Sequence, residues 1–146
     1  REARLVLALG TRERLLERAE RALLEKLRAR LSASGTPVFA RYFSPLDRAS
    51  PFPAMPLLRA ADAVVAGGGY HCFHEARSLG IRAVFLPGAR RYDDQFLRVA
   101  GERVARSPED LEAALRAILS SAPSARRSRR DCGAAAAWAL LWKKRT

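Results

Sequence analysis

The stretch Ala61–Gln95, ADAVVAGGGYHCFHEARSLGIRAVFLPGARRYDDQ, decides how this chain is read. Ala63–Ala66 is a fully apolar run of strand length that ends abruptly at Gly67-Gly68-Gly69. His71–Leu79 has a helical pattern and stops at Gly80, a residue suited to a left-handed C-terminal cap. Ala83–Leu86 is a second apolar strand, closed by Pro87-Gly88. The pattern then predicts a helix over Tyr92–Ala100, with Asp93 and Asp94 in its first turn, where acidic side chains suit the helix dipole. Strands without a polar face, separated by a helix, imply a parallel sheet covered on both sides. Such sheets bind ligands beyond the carboxyl ends of their strands.

The flanks continue the alternation. Arg4–Leu9 is a short apolar run ending in Gly10-Thr11, which predicts a buried strand and a turn. Leu15, Leu16, Ala19, Leu23, Leu27 and Leu31 recur at helical spacing, and Ser32–Pro37 breaks that helix with Gly35 and Pro37. Val38–Phe43 reads as another strand. Ser44–Pro56, with four prolines, reads as an irregular connection, followed by a short helix to about Ala61. Beyond the central stretch, Arg103–Ala105 has the character of a short last strand. Ser107-Pro108-Glu109-Asp110 starts a helix that runs to about Ser120, with serine as cap and proline in the first turn. The expected fold is α/β: a Rossmann-like, mostly parallel sheet with helices on both faces. Residues 1–121 are expected to form one domain and residues 122–146 a basic linker and tail, in which Ala134–Trp142 has the pattern of a short amphipathic helix.

Bulk properties narrow the classes of function. The 146 residues suffice for one domain with a core, and 49% hydrophobic with 29% charged residues describes a globular chain rather than a disordered one. No apolar run approaches the ~20 residues of a membrane span, and no signal peptide is visible. The first residue, Arg1, is consistent with a piece of something longer. Cys72 and Cys132 suggest neither a disulfide framework nor a metal site, which points to a reducing, cytoplasmic setting. Net charge is +12, half of it in residues 122–146, where Arg126, Arg127, Arg129, Arg130, Lys143, Lys144 and Arg145 face only Asp131. Such a balance admits nucleic acid, anionic lipid or a phosphorylated ligand. The body shows no nucleic-acid module and no aromatics interleaved with its basic residues, so a nucleic-acid partner is not expected.

The central stretch carries the candidate chemistry. Three glycines after a buried strand let a ligand approach the backbone, and some can adopt positive φ. The helix that follows offers free N–H groups and a positive dipole end to a phosphate. Glu75, one turn in, can accept two hydrogen bonds from the adjacent hydroxyls of a ribose. Asp93, Asp94 and Gln95 open the next helix at the same sheet edge and can take further sugar hydroxyls. The plainer readings stand beside these: a glycine triplet often marks only a tight strand–helix turn, and two aspartates often only begin a helix. Arg90 and Arg91 either attract a diphosphate or are solvated charge. His71, Cys72 and His74 lack a fourth ligand and the usual spacing, so no metal site is expected. Cys72 reads as a small packing residue rather than a nucleophile.

The combination Gly-Gly-Gly-Tyr-x-x-x-x-Glu-Ala at 67–76, Leu-Gly-Ile-x-Ala-Val-Phe-Leu-Pro at 79–87 and Asp-Asp-Gln at 93–95 resembles the C-terminal domain of GT-B glycosyltransferases. Within these it is most similar to the group of the lipid II-forming N-acetylglucosaminyltransferase, glycosyltransferase family 28, over roughly residues 57–101. The resemblance implies a UDP-sugar donor site. Glu75 would lie on the ribose; Gly67, Gly68, Gly69, Tyr70 and His71 near the diphosphate; Asp94 and Gln95 on the transferred sugar, with the adjoining Cys72 and Asp93 counted among the candidate donor-binding residues. Thr11, after the first strand, would offer a hydroxyl or backbone N–H to a phosphate. It further implies a hexosyltransferase, with N-acetylglucosamine the expected sugar, the UDP-sugar acting as substrate, and neither cofactor nor metal. The catalytic base is expected on an acceptor-binding domain or subunit that is not in this chain. Such a partner can be membrane-associated, holding a cytoplasmic chain at the inner face of the membrane. Two other readings stay open: a non-catalytic nucleotide-sugar-binding subunit that needs a partner chain, and a basic protein associating with nucleic acid or membrane through residues 126–145.

Overall fold

A computed structural model describes residues 4–9, 14–33, 35, 37–43, 58 and 60–121, with side chains in the first helix from Arg21 onward. The predicted connection over 44–56, the predicted tail helix and Thr11 lie outside the described residues.

Strand β1 (Arg4–Leu9) leads to helix α1 (Arg14–Ser32) and strand β2 (Val38–Phe43). Strand β3 (Ala63–Gly67), helix α2 (Tyr70–Ser78), strand β4 (Ala83–Leu86), helix α3 (Gln95–Arg98) and helix α4 (Pro108–Ser120) follow. All pairings are parallel, in the order β2-β1-β3-β4. The chain first steps from β1 to β2 and later returns to the other side of β1 as β3. The direction of winding therefore reverses between β1 and β3, where doubly wound sheets open a crevice. This is the α/β Rossmann-like architecture that the alternation of apolar runs implied.

The absence of a polar face on β1, β3 and β4 has a direct cause: both sides are covered. On one side Val6, Ala8, Val65 and Val84 meet Leu24, Leu27 and Leu31 of α1 and Leu111, Leu115 and Ile118 of α4. On the other side Leu7, Val64, Ala66 and Phe85 meet Phe73 and Ala76 of α2, together with Leu58 and Val99. Burial of such side chains stabilises by ~1.5–3 kcal/mol each, before conformational entropy is set against it. Strand β2 is the sheet edge and only half covered, leaving Phe39 and Arg41 exposed. Asp62 ties the start of β3 to the start of β1: it accepts the Leu5 N–H at 2.9 Å and pairs with Arg4 at 3.0 Å.

Helix ends follow the local chemistry. Gly80, at φ 63°, closes α2: its N–H reaches the Arg77 carbonyl, and the Ile81 N–H reaches that of Ala76. Ser107 caps α4 by accepting the Asp110 N–H at 3.0 Å, while Asp110 accepts the Arg106 N–H at 3.1 Å. Two expectations are corrected. The helix predicted over Tyr92–Ala100 is a single turn, Gln95–Arg98, because the Asp94 carboxylate accepts the Leu97 N–H at 2.9 Å and so starts the helix after itself. Asp93 and Asp94 precede that turn, and Gly101, at φ 85°, lies just beyond its end. The strand predicted over Arg103–Ala105 is one bridge, Val104 beside Phe85.

Candidate functional site

Two loops meet at the carboxyl edge of the sheet: Gly68-Gly69 between β3 and α2, and Pro87–Asp94 between β4 and α3. None of the three glycines at 67–69 uses the positive φ open to it. Their requirement is one of space. A Cβ on Gly68 would meet Gln95 Cβ at 3.0 Å and Pro87 Cβ at 3.3 Å, whereas one on Gly69 would meet nothing within 4 Å. Gly68 is therefore packed from beneath by the neighbouring loop, and Gly69 stands in the open.

Gly69, at φ −64° and ψ 153°, occupies the cap position of α2 and has no side chain with which to cap that helix. The first intrahelical bond runs from the Phe73 N–H to the Gly69 carbonyl at 3.0 Å. The N–H groups of Gly69, Tyr70, His71 and Cys72 consequently have no helical acceptor. By contrast Asp94 caps α3 and Ser107 caps α4. A turn of N–H groups without helical acceptors at the positive end of a helix is an environment that favours an anion.

Glu75 sits in the second turn of α2, half-buried, and among the described residues its carboxylate makes no hydrogen bond or ion pair. It lies roughly 7 Å along the helix axis from Tyr70, by the rise of 1.5 Å per residue. The Cys72 thiol is pushed up from its ordinary range, first by burial and then by the negative charge of Glu75. Tyr70, 59% exposed, has its ring 4.2 Å from that of His74 and at right angles to that of His71. Among the described residues no group of three or more His, Cys, Asp or Glu is placed to hold a metal.

The second loop is organised around Gln95, which is only 8% exposed. Its Oε1 accepts the Gly88 N–H at 3.0 Å, and its Nε2 donates to Asp93 at 3.2 Å. Asp93 also pairs with the Arg98 guanidinium, which holds its carboxyl below the usual carboxylate range. Arg98 Nη1 donates to the Gly68 carbonyl at 2.9 Å, and the guanidinium carbon lies 5.7 Å from the Tyr70 ring centre. Gly68, Arg98, Asp93, Gln95 and Gly88 thus form one connected network. Glu75 is not part of it. Asp94, exposed, uses one carboxylate oxygen as the helix cap. Arg90 and Arg91 are both exposed; Arg91 stacks over Tyr92, and Arg90 adds to the field that lowers Asp93.

Sequence reading singled out Asp93, Gln95 and Gly68 but passed over Arg98. No motif spacing marks it, since its partners lie thirty residues back and five residues back. Beneath the edge, at the switch point, is a cavity of about 50 Å³ lined chiefly by apolar groups of Ala8, Leu9, Leu24, Val65, Gly67 and Leu86. Its walls offer few partners for hydroxyls or phosphates, so recognition of a polar ligand falls to the loops.

No protein-family model matches the chain, and no curated protein matches it either. Among solved structures, the glycosyltransferase of kitacinnamycin is similar, with a TM-score of 0.56 and 18% identity. The likeness covers 81% of this chain and 35% of that one, so this chain spans about a third of that structure. At this identity the likeness is one of fold: the chain has the α/β Rossmann-like architecture found within a glycosyltransferase. No described helix is long and apolar enough to cross a membrane.

Proposed function

We propose that this chain is the donor-binding half of a glycosyltransferase that moves a hexose, N-acetylglucosamine in the first instance, from a UDP-sugar to an acceptor. The observation that carries the reading is the start of α2 at the open Gly69, a residue with no side chain to cap it, followed along the same helix by the carboxylate of Glu75, which among the described residues has no partner. N–H groups without helical acceptors at the start of α2 suit a diphosphate, and a carboxylate about one and a half turns further suits the vicinal hydroxyls of a ribose. The fold likeness to a glycosyltransferase supports the reading, and the motif resemblance supports the choice of a uridine nucleotide.

In this reading Gly67–Cys72 hold the diphosphate, with Thr11 contributing from the end of β1. Glu75 holds the ribose, and Asp93, Asp94 and Gln95 shape the sugar end. Transfer breaks the bond between the anomeric carbon and the diphosphate oxygen, and the electron pair leaves with UDP. The acceptor oxygen bonds to the same carbon, and its proton passes to a base supplied by an acceptor-binding domain or partner chain. The α2 N–H groups stabilise the charge that develops on the departing diphosphate, with no cofactor in the scheme. A membrane-associated partner would place the chain at the inner face of a membrane, with residues 1–121 as the donor domain and 122–146 as an appended basic tail.

A second form of the same reading is that the chain binds donor without turnover until an acceptor-binding domain or partner chain joins. Calorimetric titration of the chain and of Glu75→Ala with UDP, UDP-N-acetylglucosamine, GDP and ADP tests both. Saturable binding of the uridine ligands, weakened about tenfold or more in Glu75→Ala, is expected. A folded chain that binds none of the four would overturn the donor-site reading. Activity appearing only on addition of a partner chain would separate the subunit form from the self-sufficient enzyme.

A further inference from the structure

Arg98 sits where the two loops of the edge meet, and its side chain is only 20% exposed. One end of its guanidinium donates to the Gly68 carbonyl at 2.9 Å, and the other pairs with Asp93. Asp93 in turn accepts from Gln95 Nε2, and Gln95 Oε1 accepts from the Gly88 N–H. The path therefore runs from the β3–α2 turn to the β4–α3 loop through hydrogen bonds alone, and Gly68 leaves no room for a side chain between them.

The direction of the Gly68 carbonyl matters because a planar trans peptide carries its C=O and N–H on opposite sides. Turning that carbonyl toward Arg98 turns the Gly69 N–H away from Arg98, on the side where a Cβ at Gly69 would meet nothing within 4 Å. The same guanidinium lies against the Tyr70 ring at the first position of α2. A planar fork with five donors can serve both partners at once, which a lysine ammonium on a flexible stem does less well.

We infer that Arg98 is a positioning residue that locks the Gly68 turn to the Asp93–Gln95 segment, so that the Gly69 N–H is presented outward and the phosphate and sugar ends of a donor are bound as one unit. The second half rests on the donor-site reading above; the locking of the loops does not. Without the fork, the Gly68–Gly69 peptide is free to rotate and the Gly88 N–H loses the partner held for it by Gln95. The effect would thus appear at Gly88, a residue that Arg98 does not touch.

The test is made on the full chain with Arg98→Gln and Arg98→Lys, below the melting range of each variant. Amide hydrogen exchange without ligand should show Gly88 losing protection roughly tenfold in Arg98→Gln and by less in Arg98→Lys. Calorimetry should show UDP-N-acetylglucosamine weakened by roughly tenfold in Arg98→Gln, UDP weakened less, and partial recovery in Arg98→Lys. Unchanged protection at Gly88 overturns the coupling. Equal weakening of both ligands in step with a lower Tm reduces Arg98 to a structural residue and overturns the positioning role. If the parent chain binds neither ligand while Gly88 still loses protection in Arg98→Gln, the loop coupling stands and the donor-site reading falls. Should Arg98→Gln fail to fold, Asp93→Asn removes one arm of the fork alone and is expected to lower Gly88 protection in the same direction; unchanged protection there overturns the proposal.

Discussion

The side-chain oxygen of Gln95 accepts the backbone N–H of Gly88 at 3.0 Å, joining the first turn of α3 to the loop that follows β4. Gln95 and Glu112 are the two polar or charged residues found buried among the described residues, and each is held by partners. Burial of an amide is tolerated when both its ends are bonded. Replacing Gln95 by Leu keeps the volume but leaves the Gly88 N–H without its acceptor and Asp93 without one donor. A loss of about 1–3 kcal/mol is expected in urea denaturation of Gln95→Leu.

Adjacent glycines should respond differently to alanine. Gly68→Ala places a methyl group 3.0 Å from Gln95 Cβ and should destabilise by about 1–3 kcal/mol, as overpacking does. Gly69→Ala meets nothing within 4 Å at φ −64°, so its stability should stay within about 0.5 kcal/mol of the parent. If a phosphate approaches the backbone there, Gly69→Ala weakens nucleotide binding while the urea midpoint holds. Paired denaturation and titration of the two variants separate packing from ligand approach.

Acid should loosen the loop network through Asp93. Its carboxyl lies below the ordinary 3.8, chiefly because of the hydrogen bond from Arg98. A carboxyl lowered on folding contributes stability that is fully present above its unfolded value and is lost as pH falls through the folded value. The stability difference between the parent and Asp93→Asn should therefore be constant from pH 7 to about 4 and shrink below that. Denaturation at stepped pH measures it, and a difference that grows toward acid would contradict the assignment.

Cys72 should be a slow thiol. Burial and the charge of Glu75 both raise it, so little thiolate is present at neutral pH. Alkylation with iodoacetamide at pH 7, followed by peptide mass analysis to resolve Cys72 from Cys132, should be at least about tenfold slower at Cys72 in the native chain than in urea. Glu75→Gln should speed it modestly by removing the smaller of the two causes.

Much of the fold was legible along the chain because its signals are local. Ala63–Ala66 and Ala83–Leu86 are apolar at every position because parallel strands are covered on both faces, and that rule can be read without coordinates. Gly80 and Ser107 announce helix ends because cap chemistry acts within three or four residues. The candidate site was legible as two patches, Gly67–Glu75 and Asp93–Gln95, since each is continuous in sequence. What joins them was not. Whether Asp94 began a helix or sat inside one depended on a single side-chain bond, and the prediction placed the start too early.

The sequence by itself determined that this chain would form a parallel α/β sheet and that the glycine turn, Glu75 and the acidic segment would fall at its carboxyl edge, because apolar periodicity and turn residues act over short range. Only the tertiary structure decided that Gly68 is a glycine for space rather than for φ, that Gln95 faces inward, and that Arg98 bridges the two patches. Those outcomes depend on how closely two loops approach, a distance set by the packing of helices on both faces of the sheet, which no local pattern encodes.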